Sequence, residues 1–97
     1  MADFVLSARA KQDIVDIANH TKDRWSEDQA VLYIRMLLVE CADLANRPLV
    51  GRSYDFYRPG LRGFSCGKHI IFYRIQSRSK VRIVRILHEK RDFPRHL

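Results

Sequence analysis

The chain has 97 residues, a length that supports one hydrophobic core and leaves no room for a second domain. Hydrophobic residues make up 46% and charged residues 30%, which excludes a disordered tail and a membrane-embedded protein. The formal net charge of +7 is unevenly placed: residues 1–46 carry five basic and eight acidic side chains, whereas residues 47–97 carry thirteen basic and three acidic. So basic a half-chain repels itself and calls for an anionic partner, either nucleic acid or an acidic protein segment.

No run approaches the roughly 18 apolar residues that span a bilayer, and the start MADFVLSARAK has no signal-peptide pattern. A cytoplasmic location without membrane contact is expected. Cys41 and Cys66 lie in apolar patterns with no metal or redox spacing, and are expected to be reduced packing residues.

Asp3 to Leu6 reads as a short strand, followed by Ser7 as a helix N-cap. Ala10, Ile14, Ile17, Ala18 and Thr21 then recur at helical spacing, predicting a helix that runs to about Arg24. Ser26-Glu27-Asp28-Gln29 is a capping box, with acids at the positive end of the helix dipole, and it opens a second helix. Its apolar series Ala30, Tyr33, Ile34, Leu37, Leu38, Cys41, Leu44 and Ala45 stops near Asn46. The two helices form a hairpin over residues 7–46.

The segment RPLVGRSYDFYRPG has two prolines, two glycines and no period, so residues 47–61 read as a loop. Beyond it the period becomes two. Arg62–Cys66, Lys68–Gln76 and Val81–His88 are strand candidates that make a sheet of residues 62–88, with Ser77 to Lys80 as a hairpin loop. A basic tail, 89–97, is interrupted by Pro94. The expected fold is α+β: a short N-terminal strand and a helical hairpin on one face of a largely antiparallel sheet of three to four strands, all in one domain over 1–97.

Both faces of these strands are apolar. Ile70, Phe72 and Arg74 alternate with Ile71, Tyr73 and Ile75, and Val81, Ile83, Arg85 and Leu87 with Arg82, Val84, Ile86 and His88. One helical hairpin covers one face, so the second is expected to need an obligate partner that is amphipathic and acidic.

Chemistry is sparse. There is no nucleophile elbow, no CxxC and no ligand-like spacing among His20, His69, His88 and His96, and Gly60, Gly63 and Gly67 do not form a phosphate loop. No metal or cofactor is expected. The remaining catalytic route is metal-free RNA cleavage, which needs a base, an acid and cations for the phosphate. Lys68, His69, Arg74, Arg85, His88 and Arg91 could supply cations.

LSARAKQDIVDIANHTKDRWSEDQAVLYIRMLL, then RPGLR, GKHIIFYRI and RIVRILHEKRDFPRHL, together resemble the ParE branch of the ParE/RelE toxin superfamily over nearly the whole chain. The resemblance implies the toxin of a type II toxin–antitoxin module, held in a hetero-oligomeric complex by a small acidic, ParD-like antitoxin. ParE-type toxins poison DNA gyrase by binding and have no catalytic residues of their own. RelE-type relatives are ribosome-dependent mRNA endoribonucleases that use basic strand residues and a C-terminal tyrosine. The corresponding residues here are Lys68, His69, Arg85, His88 and Arg91, but Phe93 stands where the tyrosine would, without a proton donor. That favours the gyrase-directed branch.

On this reading Phe72, Arg74, Arg82 and Arg85 are expected to bind the antitoxin, and Arg58, Arg62, Lys90, Arg91, Arg95 and His96 the target. A basic module that binds nucleic acid directly is the third possibility; it has no evident reading helix, because both helices lie in the acidic half.

Overall fold

Ser7 joins the helical and sheet halves of the fold at one side chain. Its hydroxyl accepts the Ala10 N–H at 3.0 Å, capping the helix that follows, and donates to the Val84 carbonyl at 2.8 Å, 77 residues away. The computed structural model describes residues 3–91 and 93–97. Its elements in chain order are β1 (Asp3–Leu6), α1 (Ala8–Arg24), α2 (Glu27–Asn46), β2 (Arg52–Ser53), β3 (Arg62–Cys66), β4 (His69–Ser77), β5 (Lys80–His88) and α3 (Phe93–His96).

The fold is α+β, with strand order β1-β5-β4-β3-β2. All neighbouring pairs are antiparallel except β1 with β5, which is parallel, the chain between them running through the helical hairpin and then β2, β3 and β4. The expected helices and strands are present, and the sheet has five strands. The addition is β2, two residues inside the stretch read as a loop, paired through Arg52 with Gly63 and Ser53 with Arg62. The tail also differs from expectation: Pro94 sits inside the single turn of α3, where its missing N–H removes no helical bond. At α2, Ser26 Oγ accepts the Gln29 N–H at 3.1 Å, so the serine half of the capping box is formed.

The core has two parts, one on each side of the sheet. Between sheet and hairpin lie Ile71, Tyr73, Val81, Ile83 and Ile86 from the strands, against Ala10, Ile17, Leu37, Cys41 and Leu44 from the helices. On the far side Ile70, Phe72 and Leu87 are covered by Tyr54 and Leu61 of the loop and by Phe93 and Leu97 of the tail. This corrects the expectation that a partner must cover the second face. The chain's own loop and tail fold back over it, and Phe72 and Leu61 have no exposed surface.

Strict alternation along β5 also fails. Phe72 pairs with Arg85 and Tyr73 with Ile83, which leaves Val84 as an extra residue. A bulge of this kind reverses the faces beyond it, so Ile86 joins the hairpin side and Leu87 the far side, opposite to the pattern read from the sequence.

Candidate functional site

Asp13 of α1 sits against the β5 bulge and determines what Arg85 can do. Its Oδ2 accepts Arg85 Nε at 2.8 Å and the Ile86 N–H at 2.9 Å, and its Oδ1 accepts Arg85 Nη2 at 2.9 Å. Arg85 Nη1 donates to the His96 carbonyl at 2.7 Å. Asp13 and Arg85 are both buried. This two-pronged pair raises the arginine's pKa and uses the guanidinium inside the fold.

Beside this pair a pocket of about 430 Å³ opens between α1 and the ends of β4 and β5, with His20, His69, His88, Arg91 and Asp16 on its walls. Tyr33 reaches His69 from α2. Its hydroxyl oxygen accepts the Lys68 N–H at 2.9 Å and lies within hydrogen-bond distance, 2.7 Å, of His69 Nδ1. If the hydroxyl donates, His69 carries its proton on Nε2. Burial, helped by His88 and His20, pushes its pKa down to about 4. His88 meets it edge to face at 5.4 Å, and His88 Nδ1 accepts the Lys90 N–H at 3.2 Å. A base that titrates so far below neutrality removes protons weakly near pH 7.

Of the residues named for RNA cleavage, the fold thus gathers His69, His88 and Arg91 around one pocket. Arg85 is committed to Asp13, and Lys68 is exposed at the turn before β4. Phe93 packs its ring on Phe72 at 5.0 Å and on Tyr54 at 6.3 Å, so it serves as a lid for the far-side core.

The antitoxin set divides in two. Phe72 is fully buried beneath loop and tail and Arg85 is ion-paired with Asp13 in the interior, so the fold presents neither at its surface. Arg74 and Arg82 stay at the surface, opposite each other on β4 and β5. The target set is spread out. Arg58, Lys90, Arg91 and Arg95 are exposed; Arg91 Nη1 lies 3.3 Å from His96 Nε2. Arg62 is half-buried and has a structural task, its Nη2 donating to the carbonyls of Leu49 and Gly51 at 3.0 and 2.8 Å. The cysteines are both buried and free, and burial pushes the Cys41 thiol up to about 12, far from a reactive thiolate at neutral pH. Among the described residues, no group of histidine, cysteine and carboxylate side chains is placed to hold a metal ion, and no helix is long and apolar enough to cross a membrane.

The sequence reading missed the outer face of α2. Val31, Leu32, Met36 and Val39 are exposed there, Val39 at 64%. Val31 and Val39, with Ile34, Leu38 and Phe4, line an apolar groove of about 680 Å³ between α2, α1 and β1. The signal was available: once Ala30, Leu37, Cys41 and Leu44 are assigned inward, four large apolar residues remain on the solvent side, and a helix apolar all round has a second surface to cover.

Comparison with known proteins agrees with this architecture. Residues 4–93 match the sequence profile of the ParE toxin of type II toxin-antitoxin system, parDE. The chain is 38% identical over 94 residues to Toxin ParE1 of Mycobacterium tuberculosis (strain CDC 1551 / Oshkosh), spanning 97% of this chain and 96% of the relative. It is 36% identical over 97 residues to Toxin ParE1 of Caulobacter vibrioides, spanning 100% and 99%. Among solved structures, the chromosomal ParDE system from P. aeruginosa superposes with a TM-score of 0.75 at 18% identity, over 91% of this chain and 96% of that one. The toxin–antitoxin complex RelBE2 from Mycobacterium tuberculosis gives 0.64 at 22% identity, over 91% and 98%. The profile match over nearly the full length, together with relatives above 30% identity, places the chain in the ParE toxin family of type II toxin–antitoxin systems.

Proposed function

We propose that this ParE-family toxin acts in the cytoplasm by binding DNA gyrase and blocking it, with no catalytic step of its own, and that a small acidic antitoxin neutralises it. The observation that carries the reading is the buried Asp13–Arg85 pair. It withdraws from the surface one of the cations named for RNA cleavage, while the exposed cations of loop and tail stay at the surface to meet a target. Arg58, Lys90, Arg91 and Arg95 are the target-facing residues on this reading, with His96 beside Arg91.

The apolar groove along α2 suits the antitoxin. An amphipathic segment laid against Val31 and Val39 would bury surface that the fold leaves open, and acidic residues flanking it would meet Arg35 and Lys22 on the groove's rim. Arg74 and Arg82 remain as further anchors for an acidic chain.

A second reading, ribosome-dependent mRNA cleavage, has one observation in its favour: His69, His88 and Arg91 share a pocket. Purified protein separates the two. We expect inhibition of gyrase supercoiling with accumulation of cleaved DNA complexes and no cut in ribosome-bound messenger. Messenger cleavage with gyrase untouched would reverse the assignment. Coexpression with a neighbouring acidic protein is expected to restore growth and to yield a stable complex.

A further inference from the structure

Arg74 and Arg82 face each other directly across β4 and β5, on the side of the sheet away from the helices. Like charges at opposed positions destabilise a sheet. Among the described residues neither arginine makes an ion pair, since the pairs formed there involve Arg47 and Arg85. Arg74 Nη1 donates to the Pro59 carbonyl at 2.6 Å, which tethers the loop but leaves the charge without a counter-ion.

The same side carries a third cation and an aromatic ledge. Arg52 of β2 pairs with Gly63, whose missing side chain would meet Tyr54 and Ile70 of the far-side core, so Arg52 projects from that face too. Its guanidinium lies 5.6 Å from the centre of the Tyr54 ring. Next to Tyr54 the rings of Phe56 and Tyr57 lie 4.4 Å apart, and Phe56 is 72% exposed. The loop's one carboxylate, Asp55, accepts the Gly60 N–H at 2.7 Å and holds the turn closed. From β5 to β2, then, this face presents three arginines, and the loop laid over it carries a solvent-facing aromatic pair.

We propose that this surface binds single-stranded DNA, with the phosphates along Arg82, Arg74 and Arg52 and a base stacked on Phe56. Two observations select this occupant. Unpaired cations complement a phosphodiester chain, and exposed rings stack on unpaired bases, the combination by which proteins hold single strands without reading sequence. A duplex keeps its base faces covered, and neither long helix lies on this side to enter a groove. The choice of DNA over RNA rests on the gyrase reading; the binding surface itself does not.

The test is fluorescence anisotropy of the full-length toxin, free of antitoxin, with a labelled oligothymidylate across a range of salt. The expected result is salt-dependent binding that weakens roughly tenfold in Phe56→Ala, as loss of one stacked base implies. Arg82→Gln is expected to weaken binding several-fold and to reduce the log–log salt slope by about 0.7, as loss of one phosphate contact on a single strand implies. Both positions are exposed, so circular dichroism should show an unchanged fold. Arg9→Gln, on exposed α1, removes the same charge and should leave affinity unaltered. Three results would overturn the proposal: no binding, equal affinity for duplex, or tighter binding of oligouridylate. The assay contains no gyrase, so its failure alongside preserved supercoiling inhibition rejects this surface and spares the proposed function.

Discussion

Asp13 and Arg85 are 72 residues apart in the chain and meet through two parallel hydrogen bonds, at 2.8 and 2.9 Å, in the seam between α1 and the β5 bulge. The pair does more than neutralise charge. By also accepting the Ile86 N–H, Asp13 satisfies backbone at the point where the bulge interrupts regular pairing. Asp13→Ala would leave a buried guanidinium without its carboxylate and is expected to cost about 3–5 kcal/mol. Replacing both residues, Asp13→Leu with Arg85→Met, should recover part of that loss, because no charge is left buried, although the Ile86 N–H and the His96 carbonyl lose their partners. Urea unfolding of the three variants checks this; a single variant as stable as wild type would mean the pair is solvated.

The His69 ring links stability to pH. Its folded pKa of about 4 lies below the ordinary 6.5, so between those values the unfolded chain takes up a proton that the folded one refuses. The contribution is full above pH 6.5 and is lost as pH falls toward 4. Because the ring is only half-buried, solvent screening reduces the loss to on the order of 1 kcal/mol. The groups around it, His88, His20, Asp13, Glu89 and the Tyr33 hydroxyl, belong to β5, α1, the turn after β5, and α2. Chemical denaturation of wild type and His69→Gln at pH 7 and 4.5 should give a smaller pH dependence in the variant; identical slopes would remove His69 as a contributor.

Tyr73 anchors the start of the long loop. Its hydroxyl donates to the Pro48 carbonyl at 2.7 Å and accepts the Gly51 N–H at 3.0 Å. Tyr73→Phe keeps the ring in the core and strands both backbone groups, at a cost of about 1–3 kcal/mol. Hydrogen exchange should speed up at Gly51 ahead of the central strands. Unchanged protection there would show that Arg62, which holds the same loop through two carbonyls, suffices alone.

Core and partner surface can be told apart by two substitutions. Phe72→Ala opens the far-side cluster and is expected to cost about 3–5 kcal/mol. Val39→Asp changes an exposed residue on α2, so stability should stay within about 0.5 kcal/mol while antitoxin affinity falls at least tenfold. Calorimetric titration with the coexpressed antitoxin, paired with thermal melts, reads both quantities. Full affinity in Val39→Asp would move the antitoxin off this groove.

Local order was legible in the residues. Ser7 and Ser26 cap their helices as their positions imply, and the helices end at Arg24 and Asn46. The strands fall within a residue or so of the stretches whose period is two. Two-sided burial of β4 was also visible, in the run Ile70-Ile71-Phe72-Tyr73, and the resemblance to ParE toxins rested on the order of these same segments.

The chain alone determined the two long helices, the strands other than β2, their class and the family, because caps, periods and turn residues act over a few positions. It left open which half of an apolar strand pair would be closed from within. Leu61 and Phe93 reach Phe72 from segments with no period of their own, and the bulge at Val84 exchanges Ile86 and Leu87 between faces without any mark in composition. Only the tertiary structure decided that Arg85 is buried while Arg82, three residues earlier, meets solvent. The reason is physical: an arginine can be buried where a carboxylate is held in register to receive it, and the position of Asp13 relative to β5 exists only once α1 has packed on the sheet.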